Sequence, residues 1–89
     1  MFDKLFQGVG YEIIEKSSLH KIKLSIDIRL EREVPESFLR KFALKLREDE
    51  PVKYDRIFIL YYLPGMEIDA GAWASSHFNP NLKVEKYEW

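Results

Sequence analysis

Tyr54-Asp55-Arg56-Ile57-Phe58-Ile59-Leu60-Tyr61-Tyr62-Leu63 is the stretch that decides the architecture. Successive side chains of a strand point to opposite faces. In that conformation Ile57, Ile59, Tyr61 and Leu63 share one face, and Phe58, Leu60 and Tyr62 share the other. Both faces are apolar, which marks a strand central in its sheet and shielded on both sides. Pro64-Gly65 ends the strand. Residues 64–71 then form a connection that is long for a tight hairpin.

Upstream lies a helix signal. Pro35 suits the first helical position, where its missing N–H costs nothing. Glu36 sits at the positive end of the helix dipole, and Lys45 and Arg47 at the negative end. Phe38, Leu39, Phe42, Ala43 and Leu46 form one apolar stripe, and Pro51 stops continuation. Further upstream, Ile22, Leu24, Ile26, Ile28 and Leu30 alternate with charged and polar residues from Lys21 to Glu31. This period of two predicts a strand over Ile22–Leu30, buried on one face and wetted on the other, as in an antiparallel sheet. Val9–Lys16 reads as another strand, with Ser17-Ser18 as the break after it. Phe2, Leu5 and Phe6 read as an ordered apolar turn, because three large apolar groups are poorly placed in water.

Downstream, Gly71–Phe78 reads as a further core strand, Asn79-Pro80-Asn81 as a turn, and Leu82–Tyr87 as an edge strand. The expected fold is therefore α+β, a single domain over residues 1–89. An antiparallel sheet of four to five strands carries one helix on one face, in β-β-α-β-β order.

Composition narrows the function classes. At 89 residues and 10.6 kDa there is room for one core. There is no cysteine, so disulfides, thiolate metal sites and thiol catalysis are excluded. The net charge of −1, spread evenly along the chain, removes the electrostatic reason to expect nucleic acid or an anionic membrane as partner. The longest apolar run, Ile57–Leu63, is far below the roughly 20 residues needed to span a bilayer. Nothing at the start reads as a secretory signal, and the cytoplasm is the expected location. A whole protein and an excised domain would read alike.

The densest run of unusual residues is Pro64-Gly65-Met66, Gly71-Ala72-Trp73-Ala74 and His77-Phe78-Asn79-Pro80. In these residues the chain resembles a family of small uncharacterised bacterial domains with a Pro-Gly-Met, Gly-Ala-Trp-Ala, His-Phe-x-Pro pattern. The resemblance supports the β-α-β-β order and implies no activity or cofactor. Read structurally, the segment is a hairpin whose small residues pack tightly, with Trp73 as a core or rim anchor. Read functionally, the 64–71 loop with Met66, Asp69 and Trp73 is a recognition surface on a rigid sheet.

No catalytic or metal-binding residues emerge. His20 and His77 lack the spacing of a metal site. Ser75 and His77 share a strand face, but a triad would still need an acid from elsewhere. No phosphate-binding glycine loop is present. The expectation is a small non-catalytic binding module without cofactor, acting through protein–protein contacts, with a symmetric homodimer as the simplest form. Its candidate interaction surface comprises Phe58, Leu60, Tyr62, Met66, Asp69 and Trp73. The second expectation is a small-ligand-binding or hydrolytic domain built around Trp73, Ser75 and His77. The cover for Phe58, Leu60 and Tyr62 is sought in the N-terminal Phe2, Leu5 and Phe6, in Tyr87 and Trp89, or in another copy of the chain.

Overall fold

The computed structural model describes residues 2–87, apart from the side chain of Asp69. Trp89, one of the expected covering groups, lies outside the described residues. The elements run β1 (Lys4–Phe6), β2 (Val9–Leu19), β3 (Lys23–Leu30), α1 (Glu36–Asp49), β4 (Arg56–Tyr62), β5 (Ala74–Phe78) and β6 (Leu82–Lys86). The fold is α+β, with one helix on a six-stranded mixed sheet in the order β1-β2-β3-β4-β5-β6.

Four of the five strand pairs are antiparallel. The pair β3–β4 is parallel, Leu24 lying beside Ile57 and Ile28 beside Tyr61, with α1 as the crossover. The expected order β-β-α-β-β is thus widened to three strands on each side of the helix. The period of two in β3 suggests an all-antiparallel sheet, yet β3 has a parallel neighbour. Alternation reports whether the outer face is wet, and here that face stays open although the neighbouring strand runs parallel.

Two expectations near the N-terminus differ from the structure. Residues 4–6 form a strand rather than a turn, closed onto β2 by Gln7-Gly8 with φ of 49° and 80°. Positive φ at both central residues matches the twist of a two-residue hairpin, which glycine adopts without steric cost. Ser17-Ser18 also fails to break the chain. The β2–β3 ladder continues through Ser17–Ser25 and Ser18–Leu24 to Leu19–Lys23. Pairing to β3 holds these serines extended, with a register shift near Ile14.

The helix begins after Pro35, whose carbonyl accepts hydrogen bonds from Phe38 N at 3.0 Å and Leu39 N at 3.3 Å. Phe38, Leu39, Phe42, Ala43 and Leu46 all turn inward, as their spacing predicts. Phe42 is the hub: its ring lies 4.7 Å from Tyr11, 5.3 Å from Phe6, 5.8 Å from Phe38 and 6.1 Å from Tyr61. Opposed to it are the inward residues of the sheet, among them Leu24, Ile26, Ile28, Ile57 and Ile59. The end of the helix is tied down by Arg47, whose guanidinium lies 4.3 Å from the centre of the Phe78 ring, and by an ion pair between Glu50 and Lys16 of β2.

One polar pair is buried inside this core. Tyr61 and Ser76 are both inaccessible, and the Tyr61 hydroxyl donates to Ser76 Oγ at 2.9 Å. Burial pushes the Tyr61 phenol far above its ordinary range, with the serine contact acting weakly the other way, so it stays neutral. Removing either partner strands the other hydroxyl in the core. Tyr61→Phe and Ser76→Ala should each cost about 1–2 kcal/mol in urea unfolding. The double variant should cost less than their sum, with a coupling of about 1 kcal/mol.

Candidate functional site

Among the described residues, no layer of secondary structure lies over the second face of β4. Phe58 and Leu60 are half-buried there, whereas Ile57 and Ile59 on the helix side are almost inaccessible. Of the N-terminal apolar residues, Phe6 and Leu5 do not supply the cover, and Phe2 lies beside Gly10 of β2. Phe6 packs on Phe38 and Phe42, on the helix side, and Leu5 is 72% exposed on the edge strand. What Phe58 does touch is local. Lys23 Nζ lies 4.7 Å from its ring centre, and the His77 ring stacks on it at 5.8 Å. Beside Leu60, the hydroxyls of Ser75 and Tyr87 lie 2.8 Å apart. Phe58, Leu60, Ser75, His77, Glu85 and Tyr87 together line a shallow groove of about 280 Å³.

Tyr62, at the upper end of the same row, is buried at 2% exposure and its hydroxyl donates to the Ile68 carbonyl at 3.0 Å. The chain after β4 folds over it. Leu63-Pro64-Gly65-Met66 is a turn closed by Met66 N to Leu63 O at 3.1 Å, and Gly65 has φ of 86°. Proline followed by a glycine of positive φ is the pattern of a type II turn, whose third position excludes most other residues. Arg29 of β3 reaches across and donates from Nη1 to Leu63 O at 2.8 Å and to Met66 O at 2.9 Å. One guanidinium nitrogen therefore bridges both ends of the turn. A short 3-10 turn, Ile68–Ala70, follows.

Trp73 enters β5 in the core cluster at 7% exposure, with Lys86 Nζ 5.2 Å from its ring centre. Around it lies a cleft of about 600 Å³, which Leu63, Met66, Tyr87, Glu33 and Glu67 also line. The structure therefore separates the six expected surface residues. Phe58 and Leu60 lie on the open face, Tyr62 is covered, and Met66 and Trp73 meet at the cleft. The side chain of Asp69 lies outside the described residues. Ser75 and His77 do share the open face, but no hydrogen bond joins them among the described residues; the serine is engaged with Tyr87 and the imidazole with Phe58. No group of three or more potential metal ligands occurs among the described residues, and no helix described is long and apolar enough to cross a membrane.

Two features of this face were not visible from residue types. Arg29 reads as one more solvated charge in an alternating strand, and only the folded position of residues 63–66 turns it into a clamp. Asp27 also reads as solvated, yet it lies directly across from Glu15. Burial, and then the Glu15 charge, raise its carboxyl above the ordinary range.

Comparison with protein-family models, with curated proteins and with solved structures finds no match to this chain.

Replacing Arg29 by Met should release the turn. Loss of two charge-assisted hydrogen bonds should cost about 1.5–3 kcal/mol in urea unfolding, with faster amide exchange at Met66. Asp27 should respond to pH in a defined direction. A carboxyl whose folded pKa is raised opposes folding once ionised, so its penalty is absent in acid and grows as pH rises through that pKa. In dilute solution Asp27→Asn should therefore stabilise the protein at neutral pH by about 0.5 kcal/mol, as expected for relief of a like-charged cross-strand pair. That gain should vanish in acid.

Proposed function

We propose that this chain is a small, non-catalytic interaction module that works through protein–protein contacts on the open face of its sheet. The observation that carries this reading is the asymmetry of β4. Its helix side is sealed, and its other side presents Phe58 and Leu60 half-covered in the middle of the sheet. Completing the burial of such side chains draws on the roughly 1.5–3 kcal/mol that each contributes when fully buried. A polar border surrounds them, with Ser25 and Asp27 on one flank and Ser75 and His77 on the other. An apolar centre with a polar rim is the anatomy of a protein interface. The absence of cysteine fits a reducing compartment, and the cytoplasm is the location we propose.

The cleft beside Trp73 favours a second reading, the binding of a small ligand. Its volume falls within the usual range for such sites. It stands second because Trp73 presents little surface there. The hydrolytic form of that reading has less support still, since Ser75 and His77 each face a different aromatic partner.

Site-specific photo-cross-linking tests the first reading. A benzoyl-phenylalanine placed at position 60 should form adducts with protein in cells. The same group at Lys41, on the exposed side of the helix, should not. Absence of any adduct from position 60 in a folded, expressed protein would overturn the proposal.

A further inference from the structure

The cleft beside Trp73 has a composition that selects its ligand by charge. It is walled by the connection after β4, by Tyr87 at the end of β6 and by Glu33 ahead of α1, and it encloses about 600 Å³. Among the described residues that line it, the charged ones are Glu33 and Glu67. Both are exposed, and neither forms an ion pair or a side-chain hydrogen bond among the described residues. The nearest cations in the fold are engaged elsewhere. Arg29 holds the Leu63 and Met66 carbonyls, Arg32 pairs with Glu31 at 2.6 Å, and Lys86 lies over the Trp73 ring.

The walls are held in place by the protein's own hydrogen bonds. Arg29 clamps the turn at 63–66, and the Tyr62 hydroxyl ties down the Ile68 carbonyl. Trp73 N donates to the Tyr61 carbonyl at 2.8 Å, and Tyr87 N donates to the Trp73 carbonyl at 2.9 Å. The Tyr87 hydroxyl lies 2.8 Å from Ser75 Oγ. A site that is already ordered loses less freedom when a ligand binds.

We propose that this cleft binds a small organic cation, an alkyl ammonium compound. Its ammonium group donates to the carboxylates of Glu33 and Glu67, and its alkyl part lies against Leu63, Met66 and Tyr87. This rests on the cleft being a ligand site, the second reading above, and is independent of the open face. The observations choose among ligand classes. An anion would meet charge of its own sign in a concave site, where the field is focused. A calcium ion takes six to eight oxygen ligands, whereas no group of three potential metal ligands occurs among the described residues. A neutral ligand would use the apolar wall and leave both carboxylates without a counter-charge. An ammonium group has three donors and a full positive charge, and it satisfies both. The indole contributes little to recognition, because Trp73 is mostly buried and its ring already carries Lys86.

A titration of the full chain followed by two-dimensional amide NMR tests this, with three six-carbon probes that differ in charge. At neutral pH n-hexylamine, present as its cation, should shift the Trp73 indole and Gly71 amide resonances saturably. It should bind about tenfold more tightly than 1-hexanol, the gain expected from two exposed charge contacts. Hexanoate should produce no saturable shift. Rising salt should weaken the amine and leave the alcohol unchanged. Glu33→Gln and Glu67→Gln should each raise the dissociation constant for hexylamine about threefold, and together about tenfold, with no effect on hexanol. Amide spectra of the free variants check that each is folded. Nα-acetyl-lysine amide distinguishes the sources of the ammonium group: binding tighter than hexylamine points to a lysine carried on a peptide, weaker binding points to a free amine, and either supports the site. Hexanol or hexanoate binding as tightly as hexylamine, or glutamine variants that bind hexylamine like wild type, would overturn the selection of a cation while leaving the cleft a ligand site. Absence of any saturable shift at the cleft with all of these probes would end both.

Discussion

A single helix has to serve a six-stranded sheet, and this limit shapes the rest of the molecule. Fourteen residues of α-helix are about 21 Å long. Laid across one face, α1 can seal the inward residues of the central strands and reach the aromatic residues of β1 and β2 through Phe42. Nothing is left among the described residues to form a second layer. The protein therefore has one dry face, built around Phe42, Tyr61 and Ile59, and one face that its own fold leaves open. The parallel pair β3–β4 follows from the same element, because two neighbouring parallel strands require a crossover and α1 is that crossover.

The open face is not simply a solvated one. At its upper end the turn after β4 folds over Tyr62 and is clamped by Arg29, so the loop next to the Trp73 cleft is held by hydrogen bonds from the sheet. At its centre Phe58 is shielded by the Lys23 ammonium over its ring and by the stacked His77 ring. Long polar side chains that lie along apolar surface are a common way to keep an exposed patch soluble, and they move aside at little cost. A protein that docks and releases partners gains from such cover, since it protects the patch without filling it.

Several elements were legible in the residues. The alternation of Ile22–Leu30 and the stripe Phe38-Leu39-Phe42-Ala43-Leu46 correspond to β3 and α1 within a residue or two at each end. The doubly apolar run at Ile57 marks a central strand, and β4 is flanked on both sides in the sheet. Less was legible where pairing decides the outcome. Lys4-Leu5-Phe6 has no strand pattern of its own and becomes a strand because β2 offers it an edge. Ser17 and Ser18 suggest a turn locally and are held extended by β3.

Local periodicity and the counts of apolar residues were enough to determine the class of fold, the identity of its helix and its most buried strand, because burial on one side writes itself into every second or every third-and-fourth residue. They also determined that β4 carries more apolar surface than one helix can cover. Which strands lie side by side, that β3 and β4 run parallel, that Arg29 closes a distant turn and that Asp27 faces Glu15 were decided only by tertiary structure. These are relations between residues far apart in the chain, and no local pattern encodes them. They come into being when the helix settles on the sheet and brings the segments into register.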